Sequence, residues 1–287
     1  MTLDKSVEEK YPTLAKKLSE TSAMRKRLME DEKDNFIAFA NEEIKRDSEA
    51  FSTYASTLDV QVRRADSVVV SILEDCYSDG CRAFNGINYD TESGKELVLS
   101  DVFTDTSNIA SAVEKELMSR IGEAEPFGNT AVIEYFINTP DDSFIWTLDY
   151  NGVTFFFNPG DIAPTNFGIQ IVSLSFAKYP DLFVGKYTVA PDSYIMGMPL
   201  DSPFFIDAND DGKCEEYKVS GSYDYEAGYF YTLDISSESG SYSLDWYAHS
   251  LSSFYVKTAD NRNYIYIFST NNKDANSRMS LAVFEIK

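Results

Sequence analysis

The stretch "FFIDANDDGKCEEYKVS", residues 204–220, places oxygen-bearing side chains at alternating positions around Gly212. Glycine permits the tight bend that brings such side chains together. Hard oxygen ligands suit Ca²⁺, and Mg²⁺ fits a flexible turn less well. The spacing therefore predicts a calcium site, with a metal-free acidic turn as the alternative. Its expected ligands are four side chains and one backbone carbonyl: Asp207, Asn209, Asp211, Glu215 and the carbonyl of Lys213.

This turn does not follow the EF-hand pattern. An EF-hand needs a helix on each side and a bidentate Glu at the end of the loop, where this chain has Lys218. The flanking segments read as strands, so the loop resembles the calcium-binding hairpin turns of propeller-blade and integrin-type repeats. A cation there is expected to stabilise the turn and to perform no chemistry.

The chain offers few recognisable catalytic groups. Glycan hydrolysis needs two carboxylates at a defined separation, and among 47 Asp and Glu residues such pairs arise by chance. The candidate pairs are Asp141 with Asp142 and Asp149 with Asp161. His249 is the only histidine, in a strand-rich segment without a nucleophile elbow, so neither a serine triad nor a Cys/His zinc site is indicated.

The three cysteines bear on the compartment. Cys76 and Cys81 lie close together in "CYSDGC", a spacing that a disulfide across a tight turn could bridge. Cys214 has no such neighbour and lies within the candidate calcium loop. A single close pair carries little weight by itself, but a bridge would be expected if the protein is exported.

Composition indicates a folded, strongly acidic protein. Of its 287 residues 43% are hydrophobic, and the net charge is −22. Residues 67–287 carry 13 Lys and Arg against 33 Asp and Glu. This surface would repel nucleic acid and attract basic partners or divalent cations, although acidity also simply keeps a protein soluble. No apolar run approaches the roughly 20 residues of a membrane span, and the first residues do not read as a signal peptide.

Periodicity divides the chain into an α+β part and a β part. Residues 1–57 form an N-terminal helical segment, with one or two amphipathic helices from about residue 13 to 56. Residues 58–183 are expected to form an antiparallel sheet packed with helices, including a hairpin around residues 91–96 and helices over residues 106–120 and near 130–138. Residues 184–200 read as a linker, and residues 201–287 as a small all-β module of short aromatic strands.

The clearest local signal is "FIWTLDYNGVTFFFN", two aromatic strands around Asn151-Gly152, which favours a hairpin with a type I′ turn. Its aromatic residues are expected to fill one face of the sheet. The segment "NPGDIAPTNFG" that follows is interrupted by proline and glycine and reads as an irregular loop. Its expected surface residues, and hence the candidates for contact with a partner, are Asp161, Ile162, Asn166 and Phe167.

The middle of the chain resembles the extracellular domain of RsiV-type anti-sigma factors, which also occurs beside the catalytic domain of PdaC-type peptidoglycan deacetylases. The segments that carry the resemblance lie between Tyr11 and Phe183: "RADSVVVSILED", "GINYDTESGKELVLSDVF", "WTLDYNGVTFFFNPGDIAP" and "VSLSFAKYPDLF". The run "TFFFNPGDIAP" is the most specific of them. No membrane span, sigma-binding segment or deacetylase domain accompanies these segments.

The resemblance implies an exported bacterial protein, secreted or facing the cell envelope, either free-standing or held by a lipid anchor upstream. In the signalling members this domain recognises lysozyme, which is strongly basic, so an acidic surface would suit such a partner. The expected function is non-catalytic binding of a protein such as lysozyme or of a cell-wall glycan. The alternative is a glycan- or peptidoglycan-processing enzyme that uses paired carboxylates.

Overall fold

The structure is a computed structural model that describes residues 3–47, 54–121, 131–209, 211–224, 227–271 and 278–286. It confirms the expected α+β class, with antiparallel sheets, an N-terminal helix and a strand-rich C-terminal region. None of the described helices is long and apolar enough to cross a membrane.

The N-terminal segment is dominated by one long helix. A short helix α1 spans Lys5–Lys10, and α2 spans Pro12–Arg46. Proline at the first position of α2 suits a helix start, because that residue needs no N–H donor. Only Leu14 and Leu18 of α2 are buried, against Ile72 and Ile87 of the sheet described next.

Three antiparallel strands follow: β1 (Ser56–Ala65), β2 (Val69–Ser78) and β3 (Cys81–Asp90), in the order β1-β2-β3. The turn between β2 and β3 is Asp79-Gly80, and both residues have positive φ, as a tight hairpin turn requires. The hairpin expected around residues 91–96 is confirmed only as an isolated bridge between Tyr89 and Glu96. The chain then forms helix α3 (Leu99–Val102) instead of a second strand.

Two helices and a second sheet form the largest core. Helix α4 spans Ile109–Ile121 and α5 spans Ala131–Asn138, as the periodicity predicted. The middle sheet consists of β4 (Trp146–Leu148), β5 (Gly152–Phe157) and β6 (Gln170–Ser175). Its aromatic residues are buried, as expected, among them Trp146, Phe155 and Phe157.

The hairpin between β4 and β5 is confirmed, but its turn type is not the one predicted. Leu148 pairs with Val153, and the Asp149 N–H donates to the Gly152 carbonyl. Neither Asn151 nor Gly152 has the positive φ that a type I′ turn needs. The bond between Asp149 and Gly152 leaves Tyr150 and Asn151 at the centre of the turn, and Gly152 is the first residue of β5.

The first and middle sheets meet closely at one glycine. A Cβ on Gly86 would lie 2.0 Å from the Trp146 carbonyl oxygen, so only glycine allows β3 and β4 to approach this near. Beside it, the Asn88 side chain donates to the Trp146 carbonyl (2.9 Å) and accepts from the Leu148 N–H (3.1 Å). These bonds join two sheets that share no strand pair.

The C-terminal region is a sandwich of two antiparallel sheets around one core. One sheet contains β8 (Phe204–Ile206), β9 (Glu215–Ser220), β10 (Tyr223–Asp224), β11 (Tyr229–Ser237) and β12 (Gly240–Ala248). The other has the order β15-β14-β13-β7, from β7 (Tyr194–Met198), β13 (Ser250–Lys257), β14 (Asn263–Asn271) and β15 (Arg278–Ile286).

The segment 184–200, expected to be a linker, is not a free connection. It contains β7, which pairs with β13 over five residues and so belongs to the sandwich. It also packs against β1 of the first sheet, where a Cβ on Gly197 would lie 2.8 Å from the Gln61 Cβ. The sequence concealed this strand because glycine, proline and small polar residues surround it.

Two consecutive arginines of β1 lie where three of the four sheets meet: the first sheet, the middle sheet and the sheet that contains β7. Arg63 and Arg64 are 2% and 0% exposed. Arg63 donates to Asp149 through Nε (2.9 Å) and Nη2 (2.5 Å), and to the Gly197 carbonyl through Nη1 (3.0 Å). Arg64 donates to the carbonyls of Tyr187 (2.6 Å) and Val189 (2.9 Å). A bulge between Val62 and Arg64 lets both neighbouring side chains point inward.

Candidate functional site

The loop after β5, residues 158–168, combines an anchored base with an exposed tip. At the base, the Asn158 amide makes two bonds with the Phe84 backbone: it accepts from the N–H (2.8 Å) and donates to the carbonyl (3.1 Å). Asp161 accepts from the Asn158 N–H at 2.7 Å. These contacts fix the loop to β3, so its conformation is set before any partner arrives.

The middle of this loop is buried, which corrects the expectation for Ile162. Ile162 is 4% exposed and Ala163 is 8% exposed, and both belong to the core of the middle sheet and helices. An apolar side chain in an irregular loop gains free energy when the loop can turn it inward. Ile162 is therefore an anchor and is not available to a partner.

The tip consists of Pro164, a 3-10 turn over Thr165–Phe167, and Gly168 with φ of 67°. Asn166 is exposed and Phe167 is 47% exposed, as expected. The Phe167 N–H donates to the Pro164 carbonyl (2.9 Å), and the Gln170 side chain donates to the Phe167 carbonyl (2.8 Å). The ring is thus presented to solvent on a backbone that is held on both sides.

Asp161 lies between base and tip and is partly buried. Burial raises its pKa, and the bond from the Asn158 N–H opposes that rise. Burial also raises the pKa of nearby Tyr135 to about 12, and the Asp161 carboxylate adds to this effect. Asp161 therefore works chiefly as a constituent of the loop, with limited surface for a partner.

The candidate calcium loop joins β8 to β9, so strands flank it, as predicted. Asp207 is 6% exposed and accepts from the Asp211 and Gly212 N–H groups, both at 2.9 Å. Gly212 has φ of 87°, which supports the bend. Glu215 accepts from the Ala208 N–H at 2.9 Å, so the loop closes on its own acidic side chains.

The side-chain amide of Asn209 lies between two of the expected carboxylate ligands. The Asn209 Nδ2 atom is 3.3 Å from Asp211 Oδ2 and 3.2 Å from Glu215 Oε1. Lys213 contributes its N–H, which donates to Asp211 Oδ1 at 2.8 Å. Burial raises the pKa of Glu215, and the charges of Asp207 and Asp211 raise it further. Oxygen donors and several negative charges fit the chemistry of Ca²⁺.

Within the described part of the chain, no three His, Cys, Asp or Glu side chains are grouped as a metal site. The predicted calcium site also depends on an asparagine and a backbone carbonyl, which are ligands of other kinds. The calcium site therefore stays a prediction.

A cavity of about 600 Å³ lies beside this loop, between α4, β6 and the β8–β9 hairpin. Arg120 stacks on Phe205, with the guanidinium 4.1 Å from the ring centroid, and donates to the Ile171 carbonyl. Glu116 pairs with Lys178 at 2.7 Å. Burial raises the pKa of the Cys214 thiol in this wall to about 12. Charges of both signs line the cavity.

A second cavity, of about 560 Å³, opens between α3, α4 and α5. Hydroxyl groups and one carboxylate line its rim, and apolar side chains such as Phe136 and Phe144 line its walls. Asp141 accepts from the Ser100 hydroxyl at 2.5 Å. Ile137, also in its lining, is 75% exposed. The periodicity predicted α4 and α5, but it could not show that a gap remains between them and α3.

The proposed carboxylate pair of Asp149 and Asp161 is not brought together. These residues flank opposite ends of β5, which spans about 20 Å at the usual rise per strand residue. Asp149 is 1% exposed, and its oxygens are taken by Arg63 and Thr154. Glycosidases need carboxyl groups within about 10 Å of each other, so this pair does not form such a centre.

The expected disulfide between Cys76 and Cys81 is not formed in the structure, where both are free thiols. The hairpin register explains this, because Cys76 lies opposite Ala83 and Cys81 lies opposite Ser78. The two cysteines are therefore diagonal neighbours, typically about 7–8 Å apart, beyond the usual disulfide separation. Cys214 is also free.

Comparison with known proteins finds similarity in one segment. A family model described as a protein of unknown function, DUF3298, matches residues 100–177. This segment runs from α3 through β6 and includes the loop 158–168. The match identifies DUF3298-like sequence and assigns no activity.

Two crystal structures of bacterial DUF3298 family members resemble the chain. The one from Bacteroides fragilis is 19% identical with a TM-score of 0.42, covering 57% of this chain and 68% of that chain. The one from Pseudomonas aeruginosa PAO1 is 17% identical with a TM-score of 0.35, covering 50% and 68% respectively. None of the curated proteins compared with this chain matches it.

Proposed function

We propose that this protein is a non-catalytic binding protein, secreted or exposed at the bacterial cell envelope, and that it recognises a basic protein such as lysozyme through the tip of the loop 158–168. The observation that carries the proposal is Phe167, an aromatic ring 47% exposed on a backbone fixed at both ends. Rigid aromatic anchors commonly dominate binding energy, because little conformational freedom is lost when they dock.

Charge supports a basic partner. The net charge of −22 creates a field that steers cations toward the protein and speeds encounter with a basic one. A cell-wall glycan, the other partner expected from the sequence, gains less from this field unless it carries amino groups. The RsiV-type resemblance belongs to the same proposal, since lysozyme is the partner recognised in that family.

The calcium ion belongs to the proposal as a structural component. Asp207, Asn209, Asp211 and Glu215 would hold it through side chains and Lys213 through its carbonyl. The ion would neutralise the carboxylates that now raise the pKa of Glu215. It would stabilise the β8–β9 hairpin, with no part in a reaction.

The test is a calorimetric titration of the protein with lysozyme and, separately, with soluble peptidoglycan fragments. Phe167→Ala should weaken lysozyme binding by roughly thirty-fold or more, the loss typical of a central aromatic anchor. Phe39→Ala is the matched control, because Phe39 is 56% exposed on α2, far from this loop in sequence. It should bind as the wild type does, and both variants should keep the wild-type melting temperature.

The enzyme alternative is checked in parallel by incubating the protein with intact cell wall and measuring released sugars. Saturable lysozyme binding without turnover supports the proposal. Turnover without saturable binding would establish the glycan-processing alternative. Binding to glycan fragments alone would move the partner to the cell wall and reject lysozyme.

A further inference from the structure

The last strand of the sandwich has one free edge. Strand β15 pairs with β14 over nine residues, from Asn263 opposite Ile286 to Asn271 opposite Arg278, without a bulge. Within the described chain, no strand pairs with its other side. A long regular edge strand leaves a row of N–H and C=O groups ready to pair with another chain.

This edge lacks the devices that usually prevent such pairing. Proteins protect edges with proline, lysine or a bulge, or by covering them. Strand β15 reads "RMSLAVFEI" and contains neither proline nor lysine. The opposite edge of the same sheet, β7, is covered by β1, which approaches it at Gly197. One edge of this sheet is therefore covered by β1, whereas no described strand covers the other edge.

Both faces of β15 are apolar and incompletely buried. On the outer face Met279 is 75% exposed, and Leu281 and Val283 are each 48% exposed. On the inner face Phe284 and Ile286 pack against the sandwich core but are only partly buried. One more strand along this edge would cover side chains on both faces.

On the outer face of this sheet, aromatic side chains extend the apolar surface from β15 across β14 to β13. Opposite residues of an antiparallel pair share a face, so the register places Phe268 beside Leu281 and Tyr266 beside Val283. Phe254 follows beside Tyr266 on β13. In a chain with 25% charged residues, the outward positions of β13–β15 include one charge, Glu285. Contiguous exposed apolar side chains are typical of interaction surfaces.

We propose that a second copy of this chain pairs with β15 in antiparallel fashion, so that the two sheets form one continuous sheet across a two-fold axis. Because opposite residues share a face, that axis passes near Leu281 or Ala282. With the axis at Leu281, the side chain of Leu281 lies beside its own copy, and Met279 lies opposite Val283 of the other chain. Antiparallel pairing therefore brings the exposed apolar side chains of the two outer faces together.

This apolar match favours a second copy over a basic partner. The strand carries one charge of each sign, so a basic protein would gain nothing from it, whereas an identical antiparallel strand presents the same exposed apolar side chains. A two-fold interface uses the same patch on both subunits and closes after two copies. The expected assembly is a dimer with no further growth. The proposal is independent of the lysozyme-binding function and of the loop 158–168.

The test measures the mass of the full chain by light scattering over a wide range of protein concentration. The wild type should shift from monomer to dimer mass as concentration rises. Leu281→Lys should remain monomeric throughout, because it places two lysines near the axis of the paired strands. Ile195→Lys is the matched control: Ile195 is 50% exposed on β7, at the other edge of the same sheet. It should dimerise as the wild type does.

Hydrogen exchange of β15 amides supplies a second readout that misfolding cannot imitate. Protection of these amides should increase with concentration in the wild type and in Ile195→Lys, and stay constant in Leu281→Lys. Circular dichroism and melting temperature verify that each variant is folded. A wild type that stays monomeric, an open series of larger assemblies, or a dimer abolished equally by both lysines would each overturn the proposal.

Discussion

At the scale of single residues, the three thiols show how environment separates identical groups. Cys81 is exposed beside a hairpin turn, whereas Cys76 is half-buried and Cys214 faces the interior of a charged cavity. Burial raises the pKa of Cys76 and raises that of Cys214 to about 12. Only the thiolate form reacts quickly with alkylating reagents. Burial and a raised pKa therefore both slow the alkylation of Cys76 and Cys214.

We therefore expect Cys81 to be alkylated first by iodoacetamide at neutral pH, followed by Cys76, with Cys214 protected until the protein unfolds. Peptide mass spectrometry after timed quenching gives the order. In denaturant without a reducing agent, all three thiols should react. If only Cys214 reacts there, a Cys76–Cys81 bridge exists in the prepared protein and the free-thiol description is wrong.

Glu215 provides a pH test of the candidate calcium loop. Its raised pKa means that protonation favours the folded state, so the group's contribution destabilises the protein above the folded pKa and disappears as pH falls through it. Without calcium, lowering the pH from neutral should therefore raise the melting temperature of the wild type relative to that of Glu215→Gln. The amide can still accept the Ala208 N–H.

At neutral pH, calcium should reverse the difference in melting temperature between the wild type and Glu215→Gln. It should raise the melting temperature of the wild type by binding the folded state, and raise that of Glu215→Gln much less. Asp260→Asn is the control, because Asp260 is an exposed carboxylate on another turn. Scanning fluorimetry with calcium and with chelator provides the comparison. An equal response of wild type and Glu215→Gln would remove Glu215 from the site.

At the scale of elements, β1 holds the three sheets together through charged side chains that are almost completely buried. Removing one partner of a buried ion pair leaves the other unpaired in a medium of low polarity, at a cost of about 3–5 kcal/mol. Replacing Arg63 by Met should cost this much, because Asp149 would lose both of its guanidinium bonds. Chemical denaturation monitored by tryptophan fluorescence measures the loss.

The control for this prediction is Arg262→Met. Arg262 pairs with Asp260 at 2.6 Å, but both side chains are more than half exposed. Exposed pairs typically contribute no more than about 1 kcal/mol. Similar losses in free energy of unfolding for the two variants would show that the buried junction does not stabilise the fold as its geometry indicates.

At the scale of the whole molecule, a net charge of −22 should give the two proposed associations opposite responses to salt. Two copies of the chain repel each other, so screening should strengthen the dimer formed through β15. A basic partner is attracted, so the same screening should weaken binding through Phe167. Titrations across a series of ionic strengths measure both. Responses of the same sign would contradict one of the assignments.

Sequence patterns predicted the elements better than their connections. The periodicity of α4 and α5 and the aromatic alternation of β4 and β5 depend on local burial, and the structure confirms them. The predicted turn type at Asn151 was wrong because strand pairing, which the dipeptide does not specify, centres the turn on Tyr150 and Asn151. The predicted exposure of Ile162 was wrong because the burial of one loop residue depends on contacts with residues distant in sequence. Neither β7 nor the role of Arg63 has a local signal. Strand β7 pairs with β13, from Met198 opposite Ser253 to Tyr194 opposite Lys257, and the Asp149 partner of Arg63 is 86 residues away.

Arg63 and Arg64 of β1 also limit how short a fragment of this protein can be if it is to fold. The family-like segment ends at residue 177, yet the carbonyls that satisfy Arg63 and Arg64 belong to Tyr187, Val189 and Gly197. A recombinant fragment ending at residue 183 would lose these three carbonyl acceptors, which would leave Arg63 with Asp149, and Arg64 with Asp66 and the Asp149 carbonyl. The smallest piece that can be excised intact must therefore extend through Gly197, and β7 within it then needs β13 to complete its sheet.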